Sequence, residues 1–478
     1  MTARRRPHGP GTRTAQRDEV FAPDDIRRTI AAAASAVVPG LGQLLNGRMR
    51  LARWFAIPVL ALAAVVLLRL ATTSPTRLFA SIISPSIMGI LLALNLVLLG
   101  WRLVAVLHAY FDGRYGGRPG RAGAAGLALV LVAVVAPHAV ANAWGSSAQA
   151  AFARVFAGEV GSGFGSTVAN APRGPGSGER VNILVVGIDK TPWRTATLTD
   201  SLMVVSIDPV GETVSMVSLP RDLVQVPLGN GNLFGPKINS LMSYADRHPK
   251  DFPQGGMRAL EDAVGALLGI RIHYYARIDF FGFVKIVDAV GGIDVDVRKA
   301  FFDDQYDGIG VNQKGVKGWG VKVGLHHFNG WQAIAYSRAR KADGESDFTR
   351  AARQQEVLLA LRDKLMADGS LLMNLPSLLD EFGGLVMTDI PTDRLPELAA
   401  IADDMQQGAV YRTVLKKPLI KTGGIDKVYG SIQVADLDAI LAVSKMLFPA
   451  PGQTPIAWPQ PSTAPGSAPA PSGATTSP

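Results

Sequence analysis

The densest group of residues able to do chemistry lies between residues 336 and 355. Its cations and amides are Arg338, Arg340, Arg350, Arg353, Gln354 and Gln355. In an extended segment Arg338 and Arg340 project to the same side, because side-chain direction repeats every two residues. Two adjacent like charges are destabilising unless an anion lies between them. The pair therefore favours a phosphate-sized ligand, with a solvated charged face as the alternative.

The residues after this pair extend the cationic group. Arg350 and Gln354 are four residues apart and share one face of a helix predicted over residues 350–367. Arg350 also lies near the amino end of that helix, where the helix dipole already favours anions. The sequence thus predicts a cradle for an anion, with Arg353 beside it.

Two aspartates are placed to assist with a metal ion. Asp189 follows an apolar strand predicted over residues 181–188, and Asp200 precedes a second strand over residues 201–207. Ligand-binding side chains cluster at strand ends in α/β sheets, and carboxylate oxygens suit magnesium or manganese. The pair predicts a divalent-metal site, although a turn aspartate is the ordinary alternative for each residue.

Two further cations follow a third strand, predicted over residues 213–219. Arg221 stands beside Asp222, which either forms a surface ion pair with it or orients its guanidinium toward a phosphate. Lys237 follows a glycine-rich loop and is either a solvated side chain or a point charge for a phosphate. Each of these cations needs partners to form a site.

Other kinds of catalytic chemistry find little support in the sequence. The chain has no cysteine, which excludes disulfides, thiolate zinc sites and cysteine nucleophiles. It has no glycine-flanked nucleophilic serine, no Walker-type phosphate loop and no His-Glu-x-x-His motif. We interpret the seven histidines as structural.

Short apolar strands alternate with amphipathic helices after residue 181, which predicts one α/β domain with a central mixed sheet flanked by helices. A fourth strand is predicted over residues 271–279, and a hairpin turn at residues 208–211 joins the second and third strands. The predicted helices cover residues 257–268, 280–290, 329–336, 350–367, 371–382 and 392–406.

Three apolar runs precede this domain, at residues 51–70, 87–110 and 122–144. Each is long enough to cross a bilayer, which needs about 20 residues. Arginines before the first run and between the second and third mark those flanks as cytoplasmic, so three crossings place the rest of the chain outside. Residues 29–45 are predicted to be interfacial or re-entrant. A fourth span there would place the rest of the chain on the cytoplasmic side.

The chain thus divides into five predicted parts. Residues 1–50 are a basic cytoplasmic segment, 51–145 a transmembrane region of about three helices, and 146–180 a flexible linker. Residues 181–448 form an extracytoplasmic catalytic domain, and 449–478 a disordered tail rich in Pro, Ala and Ser. The net charge of +9 suits an anionic membrane or a phosphorylated ligand, and nucleic acid is not expected outside the cell.

The soluble half resembles the LytR-CpsA-Psr catalytic domain over roughly residues 181–366. The matching blocks are residues 184–189, 199–207, 215–222, 237–239, 280–297, 329–340 and 347–355. The resemblance implies an enzyme on the outer face of a bacterial cytoplasmic membrane. It would move an anionic glycopolymer from a polyprenyl-pyrophosphate carrier to peptidoglycan, with magnesium assisting and an apolar tunnel holding the lipid.

Carried over by position, the resemblance assigns roles to the candidate residues. Asp189 and Asp200 become the metal-associated catalytic pair, and Arg338 and Arg340 join them as catalytic residues. The implied pyrophosphate contacts are Arg221, Lys237, Arg338, Arg340, Arg350 and Gln354. The family commonly has arginine where this chain has Leu198, so one phosphate contact is absent.

Two rival functions use the same residues. A polyprenyl-pyrophosphate phosphatase would let water accept the phosphoryl group in place of a sugar hydroxyl. A non-catalytic regulatory or lipid-binding protein of the cell wall would hold the pyrophosphate lipid without turnover.

Overall fold

A computed structural model describes residues 24–156, 174–176, 178–189, 197–307, 310–312, 316–368, 386–404 and 408–458. Contacts divide the chain into two compact units. One unit comprises Met1–Thr73 and Ser86–Ser146, and the other comprises Ser74–Pro85 and Ser147–Pro478.

The amino-terminal part of the chain is helical. Its helices are α1 Asp25–Val37, α2 Leu41–Leu45, α3 Met49–Thr72, α4 Pro75–Ile83, α5 Pro85–Tyr110 and α6 Arg121–Val155. Among the described residues, α3, α5 and α6 are long and apolar enough to cross a membrane, which confirms the three predicted apolar helices. Helix α6 continues to Val155, so residues that the sequence assigns to a linker after residue 145 are helical.

Helices α1 and α2 form a hairpin along the carboxyl-terminal half of α5. Three side chains fix its depth by donating to main-chain carbonyls: Asn46 to Ala109, Gln43 to Ala105, and Arg102 to Ala36 at the tip of the hairpin. Arg102 lies eight residues before the end of α5, or about 12 Å at 1.5 Å per residue. The tip therefore reaches well into the length of a helix that can span a membrane.

Both ends of this hairpin lie beside the connector between α5 and α6. Asp25, at the start of α1, accepts hydrogen bonds from the backbone of Gly120 (3.1 Å) and Gly123 (3.0 Å). Arg48, just after α2, donates to Asp112 at 3.0 Å. The hairpin therefore enters and leaves at the same end of α5.

The hairpin closes because a glycine stands where its arms meet. A β-carbon on Gly42 would lie 2.0 Å from the carbonyl oxygen of Ala31 and 2.8 Å from the β-carbon of Ala109. Both distances are below van der Waals contact, so any larger residue would force α1, α2 and α5 apart.

The second unit contains the sheet. Its strands are β1 Val181–Asp189, β2 Leu198–Asp208, β3 Thr213–Leu219, β4 Leu223–Val224, β5 Val226–Pro227, β6 Leu233–Phe234, β7 Tyr274–Asp279, β8 Ile293–Val297, β9 Phe301–Asp303, β10 Trp319–Val321, β11 Gly324–Phe328, β12 Val386–Thr388, β13 Ala409–Val414, β14 Ile420–Asp426 and β15 Gly430–Ala435. Its later helices are α7 Leu241–Arg247, α8 Gly256–Leu268, α9 Phe280–Ala289, α10 Gly330–Arg338, α11 Asp347–Asp368, α12 Leu395–Asp404 and α13 Leu437–Leu447, with a 3₁₀ turn at Ile238–Ser240.

Six strands form the central sheet, in the order β12, β7, β1, β2, β3, β13. Strand β1 is antiparallel to β2 and parallel to β7, and β3 is antiparallel to β2 and parallel to β13. The sheet is therefore mixed, as predicted, and the predicted hairpin between β2 and β3 is present.

Two apolar cores support the sheet. The first joins it to α8 and α13 and includes Leu184, Val204, Leu260, Leu267 and Ile440. The second joins α9, α10 and α11 to the ribbon of β8 and β11 and includes Val287, Ile293, Phe328, Tyr336 and Leu361. The helices that carry the candidate site residues are thus fixed by burial of apolar side chains.

Several sequence expectations need correction or lie outside the described residues. Helix α10 extends to Arg338, so residues 337 and 338 are helical and not extended. Residues 449–458 pack on the second unit, where Trp458 donates its backbone N–H to Thr413, so the predicted disordered tail begins too early. The predicted helix at residues 371–382 falls outside the described residues.

The hairpin of α1 and α2 predicts a labelling pattern in this cysteine-free chain. Single cysteines at Arg27, Arg50 and Gly113 should react with an impermeant maleimide from one side of the membrane, and one at Thr73 from the other. Labelling should be compared in intact cells and in inverted vesicles. Reaction of Arg27→Cys and Arg50→Cys from opposite sides would show a fourth span in place of the hairpin.

Candidate active site

The two candidate metal-binding aspartates lie at one end of the central sheet. Asp189 ends β1, where it pairs with Leu198 of β2, and Asp200 follows two residues later on β2. Asp189 is buried, with 6% of its surface exposed, and Asp200 has 19% of its side chain exposed. The structure therefore brings both carboxylates to the same rim.

A β-bulge presents Asp200 at this rim. Gly187 pairs with Ser201 and Ile188 pairs with Thr199, so Asp200 is the additional residue on β2. A β-carbon on Gly187 would lie 3.0 Å from that of Ser201, so glycine allows the close approach of the strands here. Bulges redirect side chains and are common beside active sites.

Arg221 is held by Asp200 and not by its sequence neighbour. Arg221 Nη1 donates to Asp200 Oδ1 at 2.5 Å, and both side chains are largely buried. Asp222 instead binds Lys237, with 2.8 Å between Oδ1 and Nζ. The expected ion pair of Arg221 with Asp222, and the expected orientation of Arg221 by Asp222, are therefore wrong. Arg221 and Lys237 each bind a different carboxylate.

Asp347 joins two more arginines to this group. Its Oδ1 lies 3.1 Å from Arg350 Nη1 and 3.5 Å from Arg340 Nη1. Burial alone would raise the pKa of Asp347, but the charges of Arg350, Arg221 and Arg340 outweigh it and lower that pKa. Asp347 is therefore the shared anionic partner of a three-arginine cluster, a role that the sequence analysis missed.

Arg350 is the least compensated cation of the cluster. Burial lowers its pKa to about 10, Asp347 opposes that effect, and repulsion from Arg221 and Arg340 adds to it. The Nε–H groups of Arg350 and Arg221 are buried and have no hydrogen-bond partner among the described residues. Buried donors without partners are costly, so the cluster is suited to an anion that accepts from them.

Arg338 and Arg340 have separate partners. Arg338 ends α10, stacks over the ring of Phe280 at 4.6 Å, and lies 3.9 Å from Asp307. Arg340 follows in a loop that is pinned by its backbone N–H, which donates to Asp303 at 2.8 Å. The predicted pairing of the two arginines on an extended segment is wrong, because α10 ends between them.

Gln354 bridges two elements of the site. It accepts from Ser201 Oγ at 2.9 Å, next to the bulge residue Asp200, and its amide donates to the carbonyl of Ser337 at 3.4 Å. These bonds place Gln354 against β2 and α10. Its contact with a pyrophosphate stays a prediction.

Arg353 and Gln355 are structural. Arg353 is buried, donates to the carbonyls of Tyr336 and Ala339, and pairs with Glu345. Gln355 donates to Ser218 Oγ on β3 and to the carbonyl of Thr413 on β13, both at 2.9 Å. Together they fasten α11 to the sheet and to the end of α10, which fixes the positions of Arg350 and Gln354.

The carboxylates fit one kind of metal site. Within the described ranges, no three His, Cys, Asp or Glu side chains are grouped so that they could hold a metal ion. Asp189 and Asp200 alone suit magnesium, which commonly takes one or two carboxylates and completes its shell with phosphate oxygens and water. Such a site is complete only with a phosphorylated ligand.

Comparison with known proteins gives a family match over residues 165–438, to the LytR_cpsA_psr family. The polyisoprenyl-teichoic acid–peptidoglycan teichoic acid transferase TagV of Bacillus subtilis strain 168 is 39% identical over 166 residues, 35% of this chain and 38% of that protein. TagU of Halalkalibacterium halodurans, with the same transferase description, is 31% identical over 217 residues, 45% of this chain and 63% of that protein.

The chain is also similar to a regulatory protein and to a solved structure. Regulatory protein MsrR of Staphylococcus aureus strain Mu50 is 35% identical over 214 residues, 44% of this chain and 57% of that protein. The crystal structure of B. subtilis TagV aligns with a TM-score of 0.42 at 26% identity, covering 57% of this chain and 98% of that one. The matched region spans less than two thirds of the length of TagV, TagU and MsrR.

The different roles of Arg353 and Arg340 predict different effects on stability. Arg353→Ala leaves Glu345 with Lys299 as its remaining cation and removes the donor to the buried carbonyls of Tyr336 and Ala339, so it should cost about 3 kcal/mol in the free energy of unfolding. Arg340→Ala removes a side chain that is 39% exposed and should cost no more than about 1 kcal/mol. Thermal unfolding of the purified chain measures both, and equal losses would contradict these assignments.

Proposed function

The chain belongs to the LytR-CpsA-Psr family, and from this premise we propose that it is a phosphotransferase that attaches an anionic glycopolymer to peptidoglycan. The observation that carries the proposal is the cluster of Arg221, Arg340 and Arg350 around Asp347, with two buried guanidinium N–H groups that lack partners among the described residues. TagV and TagU are named for teichoic acid transfer from a polyisoprenyl carrier to peptidoglycan, which supports the same class of reaction here.

The proposed donor is the glycopolymer on a polyprenyl pyrophosphate. The acceptor is a peptidoglycan hydroxyl. The acceptor oxygen forms a bond to the phosphorus that carries the polymer, and the bond from that phosphorus to the bridging oxygen breaks. Polyprenyl phosphate leaves, so the main electrostatic demand is stabilisation of charge on the transferred and leaving phosphates.

The arginine cluster meets this demand. Arg350 and Arg221 present buried N–H groups, and Arg340 is exposed enough to move from Asp347 to a phosphate oxygen. Because a planar guanidinium binds phosphate through parallel hydrogen bonds, these residues can hold the pyrophosphate in a fixed orientation. Lys237 and Arg338 add charge at the margins of the cluster, each beside its own aspartate.

A carboxylate at the rim takes the proton of the acceptor hydroxyl. Asp200 and Asp189 are the two candidates, since both lie at the same end of the sheet as the arginine cluster. The ion pair with Arg221 orients the carboxylate of Asp200, whereas burial limits the movement of the Asp189 side chain. Either residue can act as the general base if the acceptor hydroxyl lies within hydrogen-bond reach.

Asp189 and Asp200 would also hold the proposed magnesium or manganese ion. Such an ion neutralises charge on the pyrophosphate when it is bound. That the site offers only these two carboxylates supports this assignment, because the phosphates of the donor would supply the remaining ligands.

We further propose that α3, α5 and α6 each cross the cytoplasmic membrane and that the second unit lies outside the cell. The re-entrant contacts of α1 and α2 support an odd number of crossings. Arg114, Arg118 and Arg121 in the connector from α5 to α6 support a cytoplasmic position for that loop. Anchoring would keep the site close to lipid-linked donors and raise their effective concentration.

Arg338→Ala and Arg340→Ala should each abolish transfer of lipid-linked polymer to peptidoglycan by the purified chain. Arg298→Ala is the matched control, because Arg298 is 79% exposed and stands outside the site. Product analysis measures polymer on peptidoglycan and polymer released as phosphate. Near-normal transfer by both site variants would reject the assignment, and release without attachment would identify a phosphatase.

Metal dependence gives a second test. Removal of divalent ions should stop transfer, and magnesium or manganese should restore it. Asp189→Asn and Asp200→Asn should raise the metal concentration needed for half-maximal transfer by at least about tenfold. Full transfer in the presence of a chelator would contradict the metal assignment. Binding of the lipid donor without turnover would favour a regulatory role, as in the name of MsrR.

A further inference from the structure

The ribbon of β14 and β15 ends in an exposed apolar tip, defined here as residues 425–429. Ile425 is 88% exposed, Val428 is 80% exposed, and Tyr429 is 41% exposed. Residues 421–425 are exposed on consecutive positions, so both faces of β14 are open to solvent. The tip therefore presents its apolar side chains to solvent.

Hydrogen bonds within the tip fix its conformation. The carboxylate of Asp426 accepts from the N–H groups of Val428 (2.7 Å) and Tyr429 (2.9 Å). A register shift between Thr422 and Gly424, with Gly424 at a φ of +86°, bends β14 just before the tip. The turn thus holds Ile425 and Val428 in exposed positions.

The segment that leads to the tip is positively charged. Residues 416–429 contain four lysines and one aspartate, a net charge of +3. Lys416 and Lys417 precede β14, Lys421 pairs with Asp436 at 2.8 Å, and Lys427 lies in the tip itself. Lysine and tyrosine beside aliphatic side chains are the combination found at membrane interfaces, where basic residues bind anionic headgroups.

The ribbon is attached directly to the candidate active site. Strand β15 pairs with β4, and the N–H of Gln433 donates to the carbonyl of Asp222 at 3.0 Å. Asp222 is the residue that binds Lys237. Val428 is five residues from Gln433, so the tip lies about 16 Å from Asp222 at about 3.3 Å per residue.

From these observations we propose that the tip inserts into the headgroup region of an anionic membrane and holds the active site within about 16 Å of the lipid phosphates. Ile425 and Val428 enter the interface, Tyr429 lies at its level, and Lys427 binds anionic headgroups. An anionic polymer would be bound by the lysines but gives no role to the two aliphatic side chains. The proposal rests on the proposed membrane location of this unit and does not depend on the transfer reaction.

The absence of cysteine from the chain allows a direct test. Val428→Cys, labelled with an environment-sensitive fluorophore, is placed in the full chain in nanodiscs that contain an anionic lipid. Nitroxide groups near the headgroup end of the lipid chains act as quenchers. Val210→Cys is the matched control, because Val210 is 59% exposed in the turn between β2 and β3, at the opposite end of these strands from Asp200 and Arg221.

We expect at least twofold stronger quenching at residue 428 than at residue 210, with a blue shift of the emission. Lys427→Glu should reduce that quenching in anionic nanodiscs. A labelled Ile425→Cys variant repeats the measurement should the first variant misfold. Equal quenching at residues 428 and 210 would overturn the proposal, as would a blue shift that requires added peptidoglycan. A loss of transfer activity leaves the readout unchanged, so this test is separate from that of the reaction.

Discussion

The main constraint on the structure is that three arginines lie close together in a partly buried site. Arg221, Arg340 and Arg350 repel one another, and burial together with this repulsion lowers the pKa of Arg350. Asp347 and Asp200 make the arrangement possible, because each lies within ion-pair distance of one or more of these arginines. The carboxylates therefore assemble the site before any ligand arrives, and a phosphate can replace them as the partner of the arginines.

The rest of the second unit keeps this cluster rigid. Gln355 ties α11 to β3 and β13, and Arg353 ties it to the carbonyl groups at the end of α10. Gln354, between them, reaches the bulged part of β2 through Ser201. Consecutive residues of one helix thus contact the sheet, the bulge and the neighbouring helix, so the charged groups on α11 cannot shift independently of the strands that carry Asp189 and Asp200.

The sequence predicts the elements better than the contacts between them. The first three strands and the main helices follow from apolar periodicity, because burial of one face is a local property of the sequence. Which carboxylate binds which cation is not local. Arg221 takes Asp200 instead of Asp222 because a one-residue bulge turns Asp200 toward it, and pairing register decides where a bulge occurs. Asp347 could have been found as an acidic residue three positions before Arg350, on the same helical face.

The charges of the assembled site also bear on the proposed metal. Its five cations are Arg221, Lys237, Arg338, Arg340 and Arg350, and the carboxylates beside them are Asp189, Asp200, Asp222, Asp303, Asp307 and Asp347. The group therefore has no excess of positive charge without a ligand, whereas a pyrophosphate diester brings two negative charges. A divalent ion on Asp189 and Asp200 would restore the balance and would leave the arginines free to turn from their aspartates to the phosphates. On this view the arginines orient the donor, and the metal ion compensates its charge.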